Sequence, residues 1–216
     1  MGLVLKLDPD DPSHEAIVQA ADVLRRGGTA VFPTETVYGL GADLRSELGI
    51  EGVFRLKRRG RDLPLLIHCS NVGQAIRYVS EWPESAEMLA RAYLPGPLAL
   101  VLRRGDVVPE AVSAGRDTVG IRVIADRVAQ ELIEVLGAPI AGTSANLHGQ
   151  TATSRFDRLN SEFLAGVDVA LDAERCGDDL ASTVLDLTQD PPRVVRAGAV
   201  PVSGIEDVLR VRVAGP

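Results

Sequence analysis

Residues 29–42 read TAVFPTETVYGLGA. Thr29–Phe32 is a β-rich run. The ten residues that follow, Pro33–Ala42, are dense in small, hydroxylated and glycine side chains. Thr34, Thr36 and Tyr38 offer hydroxyls and Glu35 a carboxylate, while Gly39 and Gly41 let backbone pass close to a partner. A strand that ends in such a loop is a common place for a ligand. Taken alone, the segment also fits an ordinary strand-to-helix turn.

Outward from this loop, strand-like and helix-like runs alternate, which is the pattern of an α/β fold. Ser13 is placed to cap a helix carrying Ile17, Ala20, Ala21 and Leu24 at helical spacing, and Gly27-Gly28 ends it. A second helix runs from near Ser46 to Lys57 and delivers Lys57 and Arg59 at its C-terminal end. Leu65–Cys69, Leu98–Leu102, Thr118–Val123 and Pro139–Ala141 read as strands. Pro83 opens a helix bearing Ala86, Leu89, Ala90 and Tyr93, stopped by Pro95-Gly96-Pro97. Val128, Leu132, Val135 and Leu136 form a helical stripe that Gly137 ends. Late strands fall near Val167–Leu171, Thr183–Leu187 and Arg193–Arg196, and Ser203-x-x-Glu206 reads as a capping box before a final helix. With 216 residues, 45% of them hydrophobic, the expectation is one domain over residues 1–216.

The net charge of -7 argues against a general nucleic-acid binder, because such affinity comes from Lys and Arg contacts to phosphate. The two cysteines, Cys69 and Cys176, form no C-x-x-C pair, so they read as inert thiols of a reducing compartment. His14, His68 and His148 lack metal-ligand spacing. The opening MGLVLKLDPDDP has no basic segment followed by a long apolar one, Lys6 breaks a myristoylation pattern, and no run approaches the ~20 apolar residues of a membrane span. A soluble cytoplasmic protein without membrane contact is expected. There is no Walker-type loop, and Gly39-Leu-Gly41-Ala lacks the last small residue of a dinucleotide fingerprint. Gly142-Thr-Ser144-Ala-Asn146 carries Asn where a nucleophile elbow needs Gly.

What stands out is cationic and hydroxylic. Lys57, Arg58, Arg59 and Arg61 place four cations in five residues, which suits either a polyanion or a solvated helix end. Ser144-Ala145-Asn146 follows an apolar strand and can hold phosphate or ribose oxygens, or close its own turn. Ser154 can reach the same place or cap a helix before Phe156–Leu159. His68 ends an apolar strand. Arg122 and Arg196 sit inside apolar runs, where a charge must pair or reach solvent. Ser182-Thr183 starts a strand after the acidic Asp178-Asp179.

Taken in order, Pro33–Ala42, Lys57-Arg58-Arg59, Pro95-Gly96-Pro97, Gly120-Ile121-Arg122, Ser144-Ala145-Asn146, Ser182-Thr183 and Arg196-Ala197-Gly198 resemble the YrdC-domain family, the threonylcarbamoyl-AMP synthases, over about residues 29–198. The resemblance implies an α/β fold in which a twisted mixed sheet with flanking helices surrounds a concave basic cleft. It implies synthesis of threonylcarbamoyl-adenylate and pyrophosphate from L-threonine, bicarbonate and ATP. Mg²⁺ would enter with ATP and no metal would be held by protein side chains. The product would pass to a downstream tRNA-modifying transferase complex, with at most a weak RNA contact here. By the same resemblance, Lys57, Arg59, Ser144 and Asn146 carry the catalytic K-x-R and S-x-N signature at the nucleotide phosphates. Arg59, Arg122, Asn146, Ser154 and Arg196 would bind ATP. Thr36, His68, Ser144 and Ser182 would hold threonine, with Thr34 and Tyr38 shaping that pocket.

The chain departs from the family pattern at Gly60 and Thr143, where Pro is common, and after Arg122, where a Pro and then a His are usual and the run here is Val123-Ile-Ala-Asp126-Arg127. It is expected to be the short form without an extra C-terminal domain. The glycine-rich segments Gly105–Gly115 and Gly142–Gly149 are candidates for a covering loop. Two other readings stay open: a non-catalytic RNA-binding module, and a paralogue making a related carbamoyl-adenylate. The acidic balance and the absence of interleaved aromatics count against the first.

Overall fold

Ala30 and Phe32 pack with Ile17, Leu24, Val128 and Leu132, while Val31 between them packs with Leu40, Val53, Ile67 and Ile121. This split with a period of two is what a strand covered on both faces requires, since successive side chains point to opposite sides. The computed structural model describes residues 2–215. The chain begins with β1 (Leu3–Lys6), α1 (His14–Arg25), β2 (Ala30–Phe32), β3 (Gly39–Asp43), α2 (Glu47–Lys57), β4 (Leu66–Cys69), α3 (Val72–Ile76) and α4 (Glu84–Tyr93). It continues through β5 (Leu98–Arg103), α5 (Glu110–Ser113), β6 (Thr118–Val123), α6 (Arg127–Leu136) and β7 (Ile140–Ser144). The last elements are α7 (Ser161–Ala165), β8 (Val169–Asp172), β9 (Thr183–Asp186), β10 (Arg193–Arg196) and α8 (Val202–Leu209).

All ten strands belong to one mixed sheet in the order β1-β8-β2-β3-β7-β4-β6-β5-β9-β10. Helices α1 and α6 lie together on one face, where their apolar stripes meet Phe32, Ile140 and Leu171. Phe54 and Val53 of α2 belong to the cluster on the other face. A third cluster joins α4 and α8 to β5, β9 and β10 through Leu89, Leu98, Leu185, Val194 and Ile205. The α/β reading with a mixed sheet and flanking helices is therefore correct.

Several local expectations change. Pro33–Ala42 is not one loop: Gly39–Asp43 forms β3, which pairs antiparallel with both β2 and β7. These strand positions are glycine because the Phe32 ring and Ile140 fill the space that side chains would need. The strand read as Pro139–Ala141 runs on to Ser144 through that pairing. Ser203 and Glu206 make no capping box. Helix α8 starts at Val202 behind Pro201, and the Glu206 carboxylate accepts instead from the N–H of Val213 at 3.1 Å. Ser13 occupies the N-cap of α1, but its hydroxyl makes no cap bond. Asp126, in the run that departs from the family pattern, is the N-cap of α6 and accepts from the N–H of Ala129 at 2.9 Å.

Leu132 is fully buried between α6, α1 and the sheet. Truncation to Ala is expected to lower stability by about 2–5 kcal/mol through lost burial and a cavity. Asp126→Ala, which removes one helix cap, is expected to lower it by about 1 kcal/mol. Urea unfolding midpoints at constant m-value check both values.

Candidate active site

Strands β3, β7, β4 and β6 are neighbours, and their register brings small and polar residues to one region of the sheet. Gly39 lies opposite Ser144, Gly142 opposite Leu66, and His68 opposite Arg122. A side chain at Gly142 would put its Cβ 2.8 Å from the Leu40 carbonyl oxygen and 2.9 Å from His68 Nδ1, so the sheet can bear only glycine there. The wall thus kept back borders a cleft of about 480 Å³, within the usual size range of ligand sites.

Arg59, Arg122 and Arg196 reach this cleft from three elements. Arg59 follows α2 and is aimed by bonds from Nε to the Leu63 carbonyl (3.2 Å) and from Nη2 to the Pro64 carbonyl (2.9 Å). Burial draws its guanidinium below the usual range. Arg196, at the end of β10, donates to the Ser182 carbonyl (2.8 Å) and hydroxyl (2.9 Å). Arg122 is buried on β6, where Nη2 donates to Thr36 Oγ1 at 2.8 Å and stands 3.1 Å from Glu35 Oε1. Neither Arg59 nor Arg196 is in an ion pair among the described residues. Two guanidiniums held by neutral oxygens rather than carboxylates focus a positive potential, which favours an anionic ligand.

Lys57 is placed differently from Arg59. It is 2% exposed and lies beneath Ser144 and Asn146 rather than along the cleft wall. Its ammonium donates to the Ser144 carbonyl (2.7 Å), the Ser144 hydroxyl (3.4 Å) and Asn146 Oδ1 (2.9 Å). All three donors hold the turn that presents Ser144 and Asn146 to the cleft. Burial, then the like charge of Arg59, lowers its pKa to about 7. The other cations of this run face away: Arg58 pairs with Glu162 at 2.5 Å and Arg61 with Glu51. The solvated-helix-end reading therefore describes Arg58 and Arg61.

His68 is enclosed, edge-on to Phe32, and burial followed by the charge of Arg122 holds it down at about 3. It is a neutral imidazole at working pH, and its buried Nδ1 has no partner among the described residues. Both thiols are pushed up to about 12 by burial, so neither is a ready nucleophile.

Of the residues expected at the site, Thr36, Arg59, His68, Arg122, Ser144, Asn146, Ser182 and Arg196 all line the cleft. Thr34 and Tyr38 line it too, Tyr38 with a buried ring whose hydroxyl accepts from the N–H of Ala173 at 3.0 Å. Ser154 is fully buried outside the lining, its N–H donating to Asp179 and its hydroxyl without a partner among the described residues. No residue of the 105–115 segment lines the cleft, whereas Gln150 lies on its rim and Gly142–Ser144 is strand. Sequence reading assigned no role to two residues that shape the site. Glu35 is the partner of Arg122, and a charge in an apolar strand is the signal that one must exist. Gly177 packs on the Thr36 main chain, where an added Cβ would come within 2.0 Å of the carbonyl oxygen.

The threonylcarbamoyl-AMP synthase of Pyrococcus abyssi is 40% identical over 190 residues, covering 88% of this chain and 56% of that protein. The crystal structure of P. abyssi Sua5 complexed with L-threonine matches with a TM-score of 0.92 at 37% identity, covering 98% of this chain and 62% of that one. The crystal structure of Escherichia coli YciO matches with a TM-score of 0.87 at 29% identity, covering 95% of this chain and 100% of that one. The chain thus spans little more than half the length of its P. abyssi relative. The family model Sua5/yciO/yrdC, described as telomere recombination, matches residues 22–198, and the chain belongs to that family.

Proposed function

We propose that this chain carries an L-threonylcarbamoyladenylate synthase activity, an adenylyl transfer from ATP to the carbamate of L-threonine. The observation that carries the reading is the convergence of Arg59, Arg122 and Arg196 with Ser144, Asn146, Thr36, His68 and Ser182 on one cleft. Membership of a family with a threonylcarbamoyl-AMP synthase at 40% identity supports it. The amine of threonine and bicarbonate combine to a carbamate with loss of water. A carbamate oxygen then attacks the α-phosphorus in line, the bond to the bridging oxygen breaks, and pyrophosphate leaves.

Such a displacement needs positioning and positive charge rather than a protein nucleophile. Arg59 and Arg196 suit the phosphates, with Ser144 and Asn146 as hydrogen-bonding groups held from below by Lys57. Mg²⁺ enters on the nucleotide phosphates. The cleft offers hydroxyls and guanidiniums to those phosphates. The product, a mixed anhydride, suits transfer to a nucleophilic amine by a downstream tRNA-modifying complex. Among the described residues no helix is long and apolar enough to cross a membrane. Two protonated thiols suit the reducing cytoplasm.

Pyrophosphate release from ATP is expected to require both L-threonine and bicarbonate. Release without threonine, or none with any amino acid in protein that binds ATP, overturns the reading. Arg59→Ala and Lys57→Ala are each expected to cut that release by at least ~10²-fold while leaving the thermal unfolding cooperative. Retained turnover in a folded double variant would refute the phosphate assignment. The depressed Lys57 gives a pH-dependent test. At pH 8, above its value of about 7, the free protein carries mostly the neutral amine. A bound triphosphate favours the charged form and raises that value, so ATP binding at pH 8 is expected to take up to about one proton from buffer. Calorimetry in buffers of different ionisation enthalpy detects the uptake, and Lys57→Met is expected to abolish it.

A further inference from the structure

Thr34 Oγ1 donates to the Val37 carbonyl at 2.7 Å, which uses its single proton. The hydroxyls of Thr34 and Thr36 stand 2.9 Å apart, so the proton between them belongs to Thr36. The N–H of Thr36 also points at Thr34 Oγ1, at 3.2 Å. From the other side, Arg122 Nη2 donates to Thr36 Oγ1 at 2.8 Å. Thr36 has therefore given its proton to Thr34 and filled one lone pair from Arg122. One acceptor lone pair remains, and Thr36 lines the cleft. Both threonines are 2% exposed, so bulk water does not compete for the arrangement.

We infer that Thr34 is a specificity-determining positioning residue: by fixing the Thr36 proton it makes Thr36 Oγ1 an obligate acceptor, which selects a substrate whose β-hydroxyl donates there. The inference rests on the threonine reading above. Arg122, whose Nε has no partner among the described residues, stands one hydrogen bond from Thr36 Oγ1, which matches a carboxylate and a neighbouring donor group on one small amino acid. The amine must shed protons to attack a carbonyl carbon, so a fixed acceptor that stabilised the ammonium would oppose the reaction. The hydroxyl is the remaining donor, and it distinguishes threonine from its isostere valine. An analogue without that proton faces a lone pair it cannot satisfy, the situation in which polar sites discriminate best.

The test is calorimetric binding of L-threonine, O-methyl-L-threonine and L-2-aminobutyrate to the intact chain and to Thr34→Val and Thr34→Ser. The unsubstituted protein is expected to prefer L-threonine over both analogues by ~10²-fold. In Thr34→Val the Thr36 proton is free to turn toward the ligand. The preference over O-methyl-L-threonine is then expected to fall by ~10-fold or more, with Thr34→Ser keeping the original ratio. Any bulk effect of the methyl group persists in every variant, so the change in ratio isolates the proton. Thr34→Ala, which also lacks the hydroxyl, reads the same quantity if the valine variant does not fold. An unchanged ratio in a folded variant without the hydroxyl overturns the Thr34 assignment, as does equal binding of L-threonine and its O-methyl ether by the unsubstituted protein. Binding of none of the three overturns the threonine reading itself, and with it the assignment.

Discussion

Arg122 is a cation on a strand well inside a ten-stranded sheet, and a charge buried there needs a partner. The loop between β2 and β3 supplies the partners, Glu35 and Thr36, from 87 and 86 residues earlier in the chain. That demand fixes where the loop lies. It draws Thr36 against β6 and sets the Thr36 hydroxyl within one hydrogen bond of a guanidinium. On the far side, the chain around Gly177 closes on the Thr36 carbonyl. The two residues that face the proposed amino-acid substrate are thus held by the same bond that makes burial of Arg122 possible.

The rest of the site spends stability on function. Arg59 and Arg196 are anchored by carbonyl oxygens rather than carboxylates, so their charge is aimed but not cancelled. Lys57 is more extreme, a buried ammonium whose three partners are neutral oxygens. A fold selected for stability alone would pair or remove these groups. An incoming polyanion would supply the missing countercharge, which is what the proposed displacement at phosphorus requires. The two thiols stay protonated and the His68 imidazole neutral, so none of the three is a ready nucleophile or a standing charge.

Much of the architecture was legible because its signals are local. The stripe Val128, Leu132, Val135 and Leu136 needed only a period near 3.6 and a terminal glycine, and α6 lies where that pattern placed it. The strand Thr118–Val123 was equally plain. Errors arose where a partner outside the local pattern decides the outcome. Gly39 and Gly41 favour loops in isolation, but pairing with β2 and β7 makes them a strand. Ser203-x-x-Glu206 has the letters of a capping box, yet the helix begins behind Pro201 and Glu206 turns to Val213.

The sequence by itself determined the succession of elements and the residue types available for an anionic substrate, because spacing and side-chain chemistry are properties of short segments. Its ordered motifs also carried the family resemblance. Only the tertiary structure decided which cations face the cleft. Lys57, Arg58, Arg59 and Arg61 are near neighbours in the chain, yet one lies under Ser144, two pair with glutamates on the surface, and Arg59 alone reaches the cleft wall. The left-handed turn at Arg58, φ 51°, ends α2 and sends successive side chains in unrelated directions. The partner each one meets comes from a strand or helix far away in sequence, and no local pattern encodes that meeting.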